Sequence, residues 1–277
     1  YSDIVTTVSP SYAREVVTQE YGEGLDALLQ LRGDALIGIL NGLNYDVFNP
    51  RTDRHIHSQF DLSTLEARTG NRSALRTELE LPETDGPLRG MVTRLTEQKG
   101  VDLVLQAMPE LLAAGAQIVV LGEGDTWLKD ELARLQAEHP GNVRFVARYD
   151  AELAQRIYAG VDLFLMPSRY EPCGLGQIIA MRYGAVPVGR RTGGLGDTII
   201  DADEHPELGT GFLFDEFSSF GLVSAIERAL RAFRDSAAWT RLQTNGMSRD
   251  YSWRASATHY VEAYIAALRA RGIVPLE

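Results

Sequence analysis

From residue 88 onward the chain alternates short apolar runs with longer segments of helical spacing, a pattern few architectures accept. The apolar runs cover residues 88–93, 117–121, 143–146, 162–166, 185–188 and 211–214. Between two of them, Val101, Val104, Leu105, Met108, Leu111 and Leu112 recur at the i, i+3/4, i+7 period of a helix with one buried face. Leu222, Val223, Ile226, Ala229, Leu230 and Phe233 repeat that period. Short apolar strands alternating with helices of about 10–15 residues make βαβ units. The expected fold is α/β, a Rossmann-like parallel sheet with helices on both faces.

The chain before this region reads differently. Residues 1–48 suggest a strand and then a helix opening at Ser9-Pro10-Ser11-Tyr12. A Gly-rich break follows near Gly22 and Gly24, then a helical stretch from about Leu25. A strand over 36–40 is ended by the turn pair Asn41-Gly42. The first residue is Tyr1, not Met, and the opening strand runs straight into a helix start, so the chain is expected to be a piece of a longer protein. Residues 49–87 are polar, carry Pro50, Pro82 and Pro87, and hold one helical stretch over 73–79. They are read as a linker between 1–48 and a binding domain over 88–277. The tail, 237–271, is helical throughout, with Tyr260, Tyr264, Ala267 and Leu268 as one apolar stripe.

Composition narrows the function. At 277 residues the chain fits roughly two domains, or one large α/β domain, at ~150 residues each. Its formal net charge of −11 disfavours nucleic acid and anionic membranes, whose phosphates need a positive field. The single cysteine, Cys173, excludes an internal disulfide and a CxxC site. No apolar run approaches the roughly 18 residues of a membrane span, and no leader-like segment opens the chain. A soluble, cytoplasmic protein is expected. The five histidines show no metal spacing beyond His55-x-His57, which reads as solvated surface, so no metal is expected.

In a parallel α/β sheet, ligands bind outside the carboxyl ends of the strands. The loops there carry the chemistry. Arg94 and Lys99 lie in the loop after the first run and before a helix, where two cations and a helix start favour a phosphate. Leu121-Gly122-Glu123-Gly124 suggests a dinucleotide fingerprint, but Trp127 stands at the third glycine position and breaks it. Tight turning explains those glycines better. In Pro167-Ser168-Arg169-Tyr170-Glu171-Pro172-Cys173-Gly174-Leu175, the backbone N–H groups of Cys173, Gly174 and Leu175 suit hydroxyl or phosphate oxygens. Glu171 beside them suits sugar hydroxyls. Cys173 has no neighbouring base and reads as a packed small residue. Arg190-Arg191-Thr192-Gly193-Gly194 leads into a further helix and again favours an anion. Several such loops at one end of an acidic chain point to a compact phosphorylated ligand.

Three of these segments, Arg94 to Gly100, Pro167 to Leu175 and Arg190 to Leu195, resemble the bacterial glycogen synthase and plant starch synthase family in order and spacing. Thr7-Val8-Ser9-Pro10-Ser11-Tyr12-Ala13, Asn41-Gly42 and Asn49-Pro50 match as well. The resemblance implies a two-domain GT-B fold and retaining transfer of glucose from ADP-glucose to the non-reducing end of an α-1,4-glucan, with no metal or cofactor. It implies that Arg94 and Lys99 bind the diphosphate and that Glu171 holds a donor hydroxyl, aided by the Cys173, Gly174 and Leu175 backbone. Thr192, Gly193 and Gly194 would line the phosphate pocket, and Tyr149 would stack on adenine.

One position departs from GT-B enzymes at large, as is common in the bacterial synthase branch, and one departs from the family pattern. Ile179 stands where many GT-B enzymes carry a second glutamate, and Gly176 stands where a threonine is expected. Residues 1–48 supply no Lys-x-Gly-Gly-Leu loop, so they read as the end of the amino-terminal domain. The chain is then expected to bind a nucleotide sugar and to transfer little or no glucose by itself, because transfer needs donor and acceptor oriented together. The competing readings are a non-catalytic nucleotide-binding module and a GT-B transferase using another donor, UDP-glucose or GDP-mannose.

Overall fold

A computed structural model describes residues 2–273. The chain begins with β1 (Val5–Thr7), α1 (Pro10–Glu15), α2 (Asp26–Gln30) and β2 (Leu36–Gly38). β1 and β2 pair in parallel as a two-stranded sheet. After α3 (Arg68–Glu78) come β3 (Leu88–Val92), α4 (Val101–Ala113), β4 (Gln117–Leu121), α5 (Thr126–Glu138), β5 (Val143–Val146) and α6 (Ala151–Gly160). β6 (Leu163–Met166), α7 (Gly176–Arg182), β7 (Val186–Arg190), α8 (Gly193–Thr198) and β8 (Phe212–Phe214) complete the alternation. Three helices close the chain: α9 (Ser219–Phe233), α10 (Ser236–Ser248) and α11 (Trp253–Ala270).

The six expected runs all become strands of one parallel sheet, in the order β5-β4-β3-β6-β7-β8. The period of two along each strand divides the core into two layers. Ile118 and Val120 of β4 pack with Val104, Met108, Leu222 and Ile226 of α4 and α9. Val119 and Leu121 pack on the other face with Leu75, Ile157 and Ile178 of α3, α6 and α7. The strand order reverses between β3 and β6, which places a crevice at their carboxyl ends.

Two expectations need correction. Residues 49–87 are not a free connection. Ile56, Phe60, Leu75 and Leu81 are buried in the same apolar layer as Leu88 and Phe164. The polar residues that suggested a linker are paired inside the fold. The fully buried Arg76 donates from Nε to Gln117 Oε1 at 2.9 Å and from Nη2 to the Gly86 carbonyl at 2.7 Å. Asp53 accepts from the Tyr183 hydroxyl at 2.6 Å. The expected stripe on the tail is not a buried face either: Tyr264 is 65% exposed, and the buried residues of α11 are Ser256 and Ala263. Among the described residues no helix is long and apolar enough to cross a membrane.

The first and last parts of the described segment meet. The Leu43 N–H donates to the Tyr251 carbonyl at 2.7 Å, and Arg271 Nε donates to Asp3 Oδ2 at 2.7 Å.

Candidate active site

The loop after β3 is pulled onto the loop after β6. Gly100 adopts φ +69°, and a Cβ there would lie 2.0 Å from the Pro167 carbonyl oxygen, so only glycine allows the approach. The Arg169 N–H donates to the Gln98 carbonyl at 2.8 Å, and the Arg169 guanidinium pairs with Asp102 at 2.9 Å. These contacts bring Lys99 against Glu171, with Nζ 2.6 Å from Oε2. Ser168 Oγ donates to the same oxygen at 3.0 Å. Glu171 is buried, and the ammonium and hydroxyl together compensate its lost hydration. Both donors engage Oε2, and no described residue donates to Oε1.

Arg94, from the same loop, is exposed and donates to Gln98 Oε1 at 3.3 Å. It lines a cavity of about 280 Å³ with Val92, Thr93, Gly122, Arg148, Tyr149 and Asp150. Tyr149 is 88% exposed, so one ring face is free to stack against a flat group. Asp150 closes the cavity and caps α6 by accepting from the Leu153 N–H at 2.8 Å. That N–H bond first, and then Arg148, hold its carboxyl below the usual carboxylate range.

The loop after β7 plays a part that differs from the expectation. Thr192, Gly193 and Gly194 are buried, and their donors are already engaged. The Gly193 N–H donates to Glu15 Oε1 at 2.7 Å, and Thr192 Oγ lies 3.1 Å from both Glu15 oxygens. The Gly194 N–H donates to the Glu171 carbonyl at 2.9 Å. A Cβ on Gly194 would come within 1.8 Å of the Cys173 carbonyl oxygen. These residues back the Glu171 loop; they do not offer free donors to a phosphate.

Cys173 is buried, and burial chiefly raises its thiol pKa, so it stays protonated and serves as packing. Gly174 turns the chain at φ +67°, and Leu175 is partly exposed at the start of α7. Ser168, Glu15 and Gln98 are functional neighbours that sequence reasoning did not single out. Ser168 and Gln98 lie inside the segments quoted around Glu171 and Lys99, whereas Glu15 lies two residues past the Thr7–Ala13 segment. Among the described residues no group of three or more His, Cys, Asp or Glu side chains is placed to hold a metal.

Known proteins resemble this chain in sequence and in fold. A family model described as glycosyl transferases group 1 matches residues 86–232, and one described as starch synthase catalytic domain matches residues 1–31. A glycogen synthase of Halorhodospira halophila is 47% identical over 98% of this chain and 57% of its own length. One from Desulforudis audaxviator is 45% identical over 97% of this chain and 54% of its own. The chain thus spans about half the length of the curated relatives it matches. Among solved structures, the catalytic domain of starch synthase IV from Arabidopsis thaliana, bound to ADP and acarbose, superimposes with a TM-score of 0.91 at 41% identity, over 97% of this chain and 56% of that one.

Proposed function

The chain belongs to the group 1 glycosyl transferases, with the sheet architecture of the carboxyl-terminal half of a GT-B enzyme, and from that premise we propose that it is the donor-binding part of a retaining glucosyltransferase of the glycogen synthase type. The observation that carries this reading is the Lys99–Glu171 pair beside the cavity of Arg94 and Tyr149. ADP-glucose is the donor, an α-1,4-glucan is the acceptor, and the reaction takes place in the cytoplasm.

Adenine stacks on Tyr149. Arg94 and Lys99 hold the diphosphate; Lys99 has three donors and keeps two after pairing with Glu171. The Glu171 Oε1 accepts from a glucose hydroxyl, beside the backbone of Cys173, Gly174 and Leu175. When the bond between the glucosyl carbon and the phosphate oxygen breaks, negative charge gathers on the departing ADP. The two fixed cations stabilise that charge more than they stabilise the bound donor. The acceptor and its orientation come from outside this chain, which therefore transfers little or no glucose alone.

Calorimetric titration with ADP, ADP-glucose and UDP-glucose tests the reading. Adenine nucleotides are expected to bind in preference to UDP-glucose. Lys99→Ala is expected to weaken ADP-glucose by about ten- to a hundredfold, the worth of a hydrogen bond to a charged group. Stronger binding of UDP-glucose would reassign the donor, and absence of all three interactions would overturn the proposal.

A further inference from the structure

We infer that Glu15 is a positioning residue for the donor site: it holds the Thr192–Gly194 turn and, through that turn, the backbone of Glu171. The inference rests on the assignment of Glu171 to the donor sugar. Glu15 ends α1, in the small unit built on β1 and β2, outside the six-stranded sheet. Its carboxylate takes the Gly193 N–H at 2.7 Å and the Thr192 hydroxyl at 3.1 Å. The next N–H, of Gly194, takes the Glu171 carbonyl at 2.9 Å. There is no slack in this relay, since a Cβ on Gly193 would sit 2.0 Å from the Glu171 carbonyl oxygen.

The clasp is reciprocal. Asp197 of α8 accepts from the Ser11 N–H at 2.9 Å and the Ser11 hydroxyl at 2.6 Å, at the other end of α1. Each of the two short helices therefore places a carboxylate from its last turn on the first turn of the other. Two charge-assisted bonds at each end fix both the distance and the angle between the small unit and the Glu171 loop. The side chain of Glu171 is set by Lys99 and Ser168, but its backbone is set by Glu15.

The experiment compares wild type with Glu15→Ala, Glu15→Gln and Ser11→Ala by calorimetry with ADP and ADP-glucose, and by hydrogen exchange over residues 192–198. In the proposed pose ADP lies on Arg94, Lys99 and Tyr149 and only the sugar meets Glu171, so ADP affinity is expected to stay within about twofold in every variant. The ratio of ADP-glucose to ADP affinity is expected to fall about tenfold in Glu15→Ala and less in Glu15→Gln, which still accepts one bond. Ser11→Ala, which leaves Gly193 bonded, is expected to keep the wild-type ratio. An unchanged ratio in Glu15→Ala overturns the inference, as does an equal fall in Ser11→Ala, which would trace the effect to general docking of α1. Failure of wild type to bind either nucleotide would count against the donor-site reading. The exchange data then decide on Glu15 alone: faster exchange at residues 193–194 in Glu15→Ala sustains its hold on the turn, and unchanged protection removes it.

Discussion

Asp150 carries a testable electrostatic role. Its carboxyl is held below its ordinary value of 3.8 by the Leu153 N–H and by Arg148. A carboxyl with a depressed folded pKa contributes stability that is complete above its unfolded pKa and is lost as the pH falls through the folded one. Asp150→Ala is therefore expected to cost about 1 kcal/mol at pH 7, as loss of a helix cap does. That gap should narrow below about pH 4. Urea unfolding of both proteins at pH 7 and pH 3 checks it, and an equal gap at both would assign the loss to packing. Cys173 shows the opposite shift for a different reason: burial raises its thiol pKa and keeps it out of the chemistry.

At the scale of elements, α3 is the piece whose packing composition concealed. Leu75, 2% exposed, lies between α3 and α6, with its side chain against Gly160 of α6. Leu75→Ala is expected to destabilise the fold by about 2–5 kcal/mol, read from the urea midpoint, because the cavity left between two packed helices collapses only in part. A loss below about 1 kcal/mol would mean that the layer is loosely packed. The strands were legible because a strand buried on both faces is apolar at nearly every position, a local property. The burial of residues 49–87 was not, because it depends on distant partners: Asp53 meets Tyr183 130 positions away, and Arg76 meets Gln117 41 positions away. The candidate site divides in the same way. Lys99 and Glu171 were readable because each follows a strand end, so the sheet brings them together across 72 residues. Glu15 reaches Gly193 across 178 residues from another unit, and no spacing in the sequence encodes that approach.

The whole molecule is unevenly stabilised. No residue of α1 or α2 is buried, and β1 and β2 are half-buried, whereas β4 is buried along its full length. A two-stranded sheet is marginal by itself. Amides over residues 5–38 are therefore expected to exchange about a hundredfold faster, or more, than those of β3, β4 and β6. Native-state hydrogen exchange with mass spectrometry measures this, and uniform protection would show one cooperative unit. The meeting of early and late segments has a consequence in time. Tyr45 is held by the backbone of Tyr251, 206 residues later, and Asp3 by Arg271, 268 residues later. At the pace of a ribosome, about 5–20 residues per second, Tyr45 waits roughly 10–40 s for its partner to be made. Throughout that interval the nascent segment around Leu43 and Tyr45 lacks these partners, and the stretch that joins α10 to α11 is what supplies them.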